Sequence, residues 1–293
     1  MSGWDISDIP DQAGRTVIVT GANSGLGAVT ARALAGAGAR VIMACRNELK
    51  ARSVADEIGP NAVVRRLDLA DLSSIREFAD AIDGVDVLIN NAGVMAVPLA
   101  RTADGFETQV GTNHLGHFAL TGLLLDKIRD RVVTLSSGMH AIGRIDLEDL
   151  NWERRSYQRW AAYGQSKLAN LMFARELQRR LSAAGSAKLS VAAHPGYAAT
   201  GLQGHTESLY DTLLSIGNKI FAQSAEMGAL PSLFAATAEV EPGGFYGPTG
   251  LRGMRGYPGP STSTAASKDE VTARRLWELS EQLTKINYPF VRK

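Results

Sequence analysis

The chain has 293 residues, 45% of them hydrophobic and 21% charged, which is the balance of an ordinary globular protein with a sizeable core. A formal net charge of +1, without a long block of one sign, gives no indication of nucleic acid or an anionic membrane as the main partner. Cys45 is the single cysteine, so an internal disulfide and a cysteine cluster for a metal are excluded. The polar start differs from a signal peptide, and no run of about 18 apolar residues occurs, so we expect a cytoplasmic protein without a membrane span.

The first predicted strand, residues 16–20, leads straight into a glycine-rich turn and then into an alanine-rich helix over residues 28–37. This order opens a βαβ unit, in which glycines let the backbone approach a pyrophosphate and the helix amino end attracts it. The spacing Thr-Gly-x-x-x-Gly-x-Gly differs from the usual dinucleotide fingerprint, so a turn without a ligand is the alternative. The candidate coenzyme-binding residues of the turn are Gly21, Asn23, Ser24, Gly25, Leu26 and Gly27.

Arg46 follows the second predicted strand, residues 40–44. In a βαβ unit of this kind an acidic residue at this point binds the ribose 2′-hydroxyl of NAD, whereas an arginine accommodates the 2′-phosphate of NADP. Because the carboxylate is missing and the arginine is present, the sequence favours NADP(H), with NAD as the less favoured cofactor. The alternative is that Arg46 merely caps a loop.

Helical and strand patterns continue to alternate along the rest of the chain. The predicted helices cover residues 48–58, 72–81, 108–127, 164–181, 225–238 and 268–286, and the further strands cover 62–67, 85–89, 131–135, 189–193 and a seventh near Phe245 and Tyr246. The alternation predicts an α/β fold, a Rossmann-type doubly wound parallel sheet of about seven strands with helices on both faces. No repeat or clear linker occurs, so residues 1–293 are predicted to be one domain.

Several polar residues stand at positions that suit a ligand site. Asp68 and Asn91 fall at the carboxyl ends of the third and fourth strands, where open parallel sheets bind ligands, although each is also a common turn residue. Asn113 lies in the apolar helix over residues 108–127, where a buried amide needs a partner, but it could also be a surface residue. His114 and His117 of that helix could share a metal, but no further ligand is indicated nearby, which favours packing or surface roles.

Tyr163 and Lys167 are four residues apart at the start of the helix over residues 164–181, so their side chains share one helical face. A phenol holds its proton to about pH 10, and a nearby ammonium favours the phenolate. The pair therefore predicts a lowered pKa for Tyr163 and a usable general acid or base. The alternative is a solvated helix face, where the same spacing is common.

Two long apolar stretches lie outside the predicted sheet. The insertion over residues 137–163 is a long connection at the carboxyl end of a strand. Long connections at such positions more often have a function than not. Its apolar residues are Met139, Ile142, Ile145, Leu147, Leu150, Trp152 and Trp160. The irregular, apolar segment 201–223 could be a lid over an apolar pocket, a partner-binding helix or a packed surface helix. We expect a substrate-covering segment near residues 198–225.

Taken together, these residues resemble the short-chain dehydrogenase/reductase family over nearly the whole chain and in the family's order. The resemblance rests on Thr20-Gly21-x-x-x-Gly25-x-Gly27, Asp68, Asn90-Asn91-Ala92-Gly93, Asn113, Ser137, Tyr163-x-x-x-Lys167, and Pro195-Gly196 with Thr200. Within the family the chain looks most like the branch of retinol dehydrogenases and protochlorophyllide reductases. The motifs that it shares with this branch are Ala44-Cys45-Arg46-Asn47, Asn113-His114-Leu115-Gly116-His117-Phe118, Tyr163-Gly164-Gln165-Ser166-Lys167-Leu168-Ala169-Asn170 and His194-Pro195-Gly196.

The resemblance implies a role for each motif. Tyr163 would exchange a proton with the substrate oxygen, which Ser137 would hold by a hydrogen bond, with Ser136 as the fallback. Lys167 would lower the pKa of Tyr163 and bind the nicotinamide ribose, and Asn113 would support a water-linked proton relay. The implied coenzyme contacts are Asp68 near adenine, Asn91 and Gly93 along the adenosine ribose and Thr200 at the nicotinamide carboxamide, with Leu69, Ala92, Pro195 and Gly196 completing the set.

The sequence thus predicts an NADP(H)-dependent oxidoreductase that interconverts a carbonyl and an alcohol on a small, lipophilic substrate. The family's usual homodimers and homotetramers leave the assembly open. One alternative is a non-catalytic NADP-binding sensor or interaction protein, against which the intact Ser137, Tyr163 and Lys167 argue. Another is a nucleotide-sugar epimerase or dehydratase, which the glycine spacing and the lack of a larger C-terminal substrate domain disfavour.

Overall fold

The strands of this computed structural model, which describes residues 3–196 and 224–290, form a single sheet. They are β1 Thr16–Thr20, β2 Arg40–Cys45, β3 Ala62–Arg66, β4 Val85–Asn90, β5 Ile128–Leu135, β6 Leu189–Ala193, β7 Phe245–Gly250 and β8 Arg255–Pro260. Their order across the sheet is β3-β2-β1-β4-β5-β6-β7-β8. β8 is antiparallel to β7, and the other neighbouring pairs are parallel.

Helices cover both faces of this sheet. α1 Gly25–Gly36, α2 Glu48–Ile58 and α6 Ala225–Thr237 pack on one face. α3 Leu72–Asp80, α4, α5 Arg159–Ala183 and α7 Glu270–Thr284 pack on the other, where α4 consists of Thr108–Val110, a π-helical turn at Gly111–Leu115 and Gly116–Leu124. Within the described ranges, no helix is both long enough and apolar enough to cross a membrane.

The central strands are apolar on both sides because both sides are covered. In β1, Val17 and Val19 belong to the core under α1 and α2, whereas Ile18 belongs to the core under α3 and α4. All three side chains are almost completely buried. Such continuous burial is typical of a parallel sheet between two helical layers, and it makes the carboxyl edge of the sheet the place for a ligand.

The predicted fold class is confirmed, with eight strands where about seven were expected. The eighth strand, Arg-Gly-Tyr-Pro-Gly-Pro, was missed because glycine and proline are depleted in strands and proline is confined to edges such as this one. The helix carrying Tyr163 begins at Arg159 rather than at residue 164, and α4 ends at Leu124 rather than at residue 127. Of the expected covering segment, residues 198–223 lie outside the described residues.

Candidate active site

Most of the candidate site residues predicted from the sequence lie at one edge of the sheet, at the carboxyl ends of its strands. The glycine turn follows β1, residues 91–93 follow β4, and Ser136 and Ser137 follow β5. β1 and β4 are neighbours although β2 and β3 lie between them in the chain. This is the topological switch point, where open α/β sheets bind their ligands.

Tyr163 and Lys167 lie one turn apart in α5, and both are buried. The Nζ atom of Lys167 is 5.8 Å from the centroid of the Tyr163 ring, within the range of cation–ring attraction. The same Nζ donates a hydrogen bond of 3.2 Å to the main-chain oxygen of Leu135, the last residue of β5. α5 thus presents the phenol and the ammonium together at the carboxyl edge of the sheet.

Burial shifts the pKa of these two side chains in opposite directions. It raises the pKa of Tyr163 to about 12, and hydrogen bonding with the Ser137 hydroxyl lowers this pKa by less. It lowers the pKa of Lys167 to about 8. The predicted net lowering of the Tyr163 pKa is therefore wrong, because the loss of water around the phenol outweighs the groups that favour the phenolate.

Asn113 is fully buried in the π-helical turn of α4. Its Oδ1 accepts from Val94 N at 2.8 Å, and its Nδ2 donates to Val94 O and to Ser166 Oγ, each at 2.9 Å. A Cβ built on Gly93 would lie 3.2 Å from Asn113 Oδ1 and 3.4 Å from Lys167 Nζ. The glycine thus preserves a small space that the amide and the ammonium both border.

The two adjacent serines after β5 have different surroundings. Ser136 is buried, and its Oγ donates to the main-chain oxygen of Lys167 at 2.8 Å, which ties β5 to α5. Ser137 is partly buried and begins the short 3-10 helix Gly138–Ile142, where its Oγ accepts from Met139 N at 3.2 Å. Because the Ser137 hydroxyl lies close enough to the phenol of Tyr163 to lower its pKa, Ser137 is the serine beside the proposed acid.

The turn after β1 fits the pyrophosphate of a dinucleotide. Gly21 and Gly25 have φ angles of +67° and +51°, a backbone region that residues other than glycine rarely adopt. A Cβ on Gly27 would lie 2.4 Å from the main-chain oxygen of Gly21, so only glycine fits there. Ser24 makes no side-chain cap to α1, whereas Asn47 caps α2. The first N–H groups of α1 therefore stay available to an anionic ligand.

The loop after β4 is fixed against the end of β1. Asn91 N and Ala92 N both donate to Thr20 Oγ1 at 2.9 Å, and Asn91 Nδ2 donates to the main-chain oxygen of Thr20 at 2.7 Å. These three hydrogen bonds hold the loop directly beside the glycine turn. Gly93 follows at the point that Asn113 and Lys167 border.

The residues expected at the adenosine end follow β2 and β3. Arg46 is exposed directly after β2, and its side chain makes no hydrogen bond or ion pair with another described residue. Asp68 Oδ1 accepts from Ala70 N at 3.0 Å, so one carboxylate oxygen shapes the turn after β3. Leu69 is buried. An exposed guanidinium at this edge suits a phosphate group better than a hydroxyl.

The nicotinamide end is described only in part. Gly196 has a φ of +66°, and its N–H donates to His194 Nδ1 at 3.2 Å. Since that nitrogen accepts, His194 Nε2 carries the hydrogen and donates to Ser261 Oγ at 2.9 Å. The imidazole thus shapes the Pro195–Gly196 turn after β6. Thr200 lies outside the described residues.

Two further histidines contact the site, and the sequence did not single them out as site residues. His140 Nδ1 lies 2.7 Å from the main-chain oxygen of Ser137, which fixes the turn that presents the serine. His117 lies between Thr20 and Asn113. In the sequence, each of these histidines is a polar ring among apolar residues, and a histidine that only packs in the core has the same pattern. Over residues 3–196 and 224–290, no three His, Cys, Asp or Glu side chains are placed to share a metal ion.

The chain is similar to known proteins over most of its length. The family model described as short chain dehydrogenase matches residues 15–210. Human retinol dehydrogenase 13 is 45% identical, over 96% of this chain and 87% of that protein. A crystal structure of an uncharacterized protein from Mycobacterium paratuberculosis is 53% identical with a TM-score of 0.87, covering 98% of this chain and 100% of that one. A structure from Beutenbergia cavernae, titled an NAD(P) dependent gluconate 5-dehydrogenase with NADP bound at low occupancy, is 28% identical with a TM-score of 0.59, covering 77% and 90%.

The chain therefore belongs to the short-chain dehydrogenase/reductase family. Within it, the chain falls in the retinol dehydrogenase-like branch, which supports a carbonyl–alcohol oxidoreductase that uses a nicotinamide dinucleotide.

Proposed function

We propose that the protein is an NADP(H)-dependent oxidoreductase that interconverts a carbonyl and an alcohol on a lipophilic substrate, with Tyr163 as the acid and base. The observation that carries the proposal is the buried pair of Tyr163 and Lys167, with the Ser137 hydroxyl close enough to the phenol to lower its pKa. The pair stands at the same sheet edge as a glycine turn suited to a dinucleotide. The printed names of the relatives, retinol dehydrogenases among them, support the same reaction class.

Tyr163 is the group that transfers the proton. Because burial raises its pKa to about 12, the phenol is protonated at neutral pH and can donate to a carbonyl oxygen that becomes an alcohol. Alcohol oxidation takes the reverse route, with the phenolate oxygen as the base. Ser137 holds the reacting oxygen beside the phenol through its hydroxyl. When bound, the nicotinamide coenzyme supplies or accepts the hydride.

Lys167 favours the phenolate that forms when Tyr163 gives up its proton. With a pKa of about 8, its ammonium is mainly protonated at neutral pH, and the buried surroundings screen its charge weakly. An ammonium has three N–H donors, and one is directed at Leu135 O. The others are left for the nicotinamide ribose and for a proton relay along Asn113, which borders the same space at Gly93.

Arg46 supports NADP(H) over NAD(H). It is exposed at the end of β2, where the coenzyme ribose binds in folds of this type. A guanidinium there forms charge-assisted, bidentate hydrogen bonds to a 2′-phosphate, which a 2′-hydroxyl cannot match.

Two exposed apolar side chains near the start of α5, one of them beside the Tyr163 ring, support a lipophilic substrate. Three of the seven apolar residues of the insertion are used for packing: Ile145, Leu147 and Leu150 join the core between α5 and α7. Ile142 and Trp160 stay 53% and 42% exposed. The Trp160 ring lies 6.4 Å from the Tyr163 ring between centroids, and a Cβ on Gly164 would lie 3.1 Å from Ile142. Apolar surface next to the phenol suits an apolar substrate.

The direct test is oxidation of NADPH with a panel of long-chain and short-chain aldehydes and ketones. Tyr163→Phe should lower kcat by at least about 1000-fold and leave the NADPH Kd within about twofold. The control is Tyr246→Phe, because Tyr246 packs on the opposite face of the sheet and its hydroxyl accepts from Glu241 N. Equal turnover by wild type and Tyr163→Phe would rule out the mechanism. NADPH binding without turnover of any carbonyl would instead support the binding protein considered above.

A further inference from the structure

His117 connects the coenzyme-binding edge of the sheet to the helix that carries Asn113. Its imidazole is 1% exposed and has both ring nitrogens in hydrogen bonds. Nδ1 lies 3.0 Å from the main-chain oxygen of Asn113, one turn earlier in α4. Nε2 lies 2.9 Å from Thr20 Oγ1 at the end of β1.

These partners fix the tautomer of the ring. A carbonyl oxygen only accepts, so Nδ1 of His117 carries the hydrogen and donates it to Asn113. Nε2 is then an acceptor, and the hydroxyl hydrogen of Thr20 points at it. Burial, together with a smaller contribution from the nearby charge of Lys167, lowers the pKa of His117 to about 3, so the ring stays neutral at physiological pH.

The direction of the Thr20 hydroxyl matters for the loop after β4. With its hydrogen given to His117, the oxygen offers its lone pairs to Asn91 N and Ala92 N, each at 2.9 Å. Without the imidazole, the hydroxyl has the main-chain oxygen of Ile89 at 3.4 Å as a weaker acceptor. His117 therefore orders the loop that lies beside the glycine turn.

At the other end of the ring, His117 holds the main chain of Asn113. The side chain of Asn113 holds both main-chain groups of Val94 and borders the space at Gly93 together with Lys167. A rotation of the Asn113 peptide would move this amide and change that space. The ring thus sets two features of the site at once, through two different nitrogens.

We propose that His117 is a positioning residue of the reaction, whose Nε2 sets the coenzyme-binding loop and whose Nδ1–H sets Asn113 for proton transfer. The role of Nδ1–H in proton transfer rests on the proposed function. The role of Nε2 concerns coenzyme binding, which can be measured without turnover.

Two substitutions separate the two nitrogens. His117→Asn places an amide donor at the position of Nδ1 and removes the acceptor for Thr20. His117→Gln places an amide oxygen at the position of Nε2 and removes the donor to Asn113. We expect His117→Asn to raise the NADPH Kd, measured by fluorescence titration, at least fivefold, with kcat at saturating coenzyme within threefold of wild type. We expect His117→Gln to lower kcat at least tenfold with the Kd within twofold.

His114→Gln is the matched control. His114 is also a buried histidine of α4, but its Nε2 donates to Ser280 Oγ of α7, away from the sheet edge. Its substitution should lower the unfolding temperature and leave both the Kd and kcat within twofold. Equal changes of Kd and kcat in the two His117 variants, or no change in either, would overturn the proposal, because a histidine that only fills the core cannot separate the two constants.

A spectroscopic measurement tests the tautomer in the unmodified protein. With 15N-labelled histidine, the His117 signals, assigned by their loss in His117→Gln, should show a protonated Nδ1 and an unprotonated Nε2 from pH 5 to pH 9. An Nε2–H tautomer would overturn the proposal. If wild type turns over no carbonyl, the proposed function fails. The Kd of His117→Asn and the tautomer of His117 then still test whether Nε2 positions the coenzyme-binding loop.

Discussion

The Nζ atom of Lys167 lies 5.8 Å from the centre of the Tyr163 ring, and both side chains are buried on one side of α5. Burial raises the pKa of the phenol to about 12 and lowers that of the ammonium to about 8. At neutral pH the site therefore holds a protonated phenol beside a cation. This is the protonation state that carbonyl reduction requires from its proton donor.

Carbonyl reduction should lose rate as pH rises through about 8. Above that pH, Lys167 becomes neutral and no longer stabilises the phenolate that forms on Tyr163. In a series at saturating NADPH, kcat/KM should be flat below this value and fall about tenfold per pH unit above it, as for the loss of one proton. Lys167→Arg is the control, since arginine keeps its charge throughout, and a falling limb that persists in this variant would assign the ionisation to another group.

Removal of the Lys167 charge should stabilise the protein while it abolishes activity. The folded pKa of about 8 is below the ordinary 10.5, so the folded state carries a cation that burial disfavours. Below pH 8 this costs roughly 3 kcal/mol, and the cost disappears as pH rises towards 10.5, because only the unfolded chain still binds the proton there. Leu135 O keeps its hydrogen bond from Asn170 Nδ2 in Lys167→Met.

Urea unfolding of wild type and Lys167→Met at several pH values measures this effect. The variant should be more stable by the largest margin at pH 7, and the margin should shrink between pH 8 and pH 10.5. A margin that grows with pH, or a variant less stable than wild type at pH 7, would contradict a desolvated ammonium at this position.

Much of this architecture could be predicted because it follows from local patterns. β1, α2 and β6 have the predicted bounds, since their apolar periodicity and caps are complete within a few residues. The glycine turn and the spacing of Tyr163 and Lys167 likewise depend on neighbouring residues alone. β8 lacks such a pattern, because its glycines and prolines fit a strand only at the edge where β7 pairs with it.

Other features depend on groups that are distant in the chain and could not be predicted. The π-helical turn at Asn113 and the bond from His117 to Thr20, 97 residues away, arise only when α4 packs on β1. The sign of the Tyr163 pKa shift depends on how much water burial removes, and spacing carries no information about that. The candidate reactive groups could be chosen from the sequence, whereas the direction of their pKa shifts required the packed structure.

The two serines after β5 should separate catalysis from stability. Ser137→Ala removes the hydroxyl beside the phenol and should lower kcat by roughly 100-fold, with the unfolding free energy little changed. Ser136→Ala removes the buried hydrogen bond to Lys167 O and should cost about 1 kcal/mol of stability, with kcat lowered only a few-fold. Steady-state kinetics and urea unfolding on both variants measure this, and the reverse pattern would make Ser136 the serine that holds the substrate.

The choice of coenzyme should depend on Arg46. Arg46→Ala removes a charge-assisted contact to the 2′-phosphate and should raise the KM for NADPH by roughly 10- to 100-fold, with the KM for NADH within about threefold. Arg40→Ala is the matched control, because Arg40 is also an exposed arginine but begins β2, at the end of the strand away from the coenzyme edge. It should alter neither constant. If Arg46→Ala weakens the binding of NADPH and of NADH by similar factors, the guanidinium does not bind the 2′-phosphate. A preference for NADP(H) would then have to come from another cation.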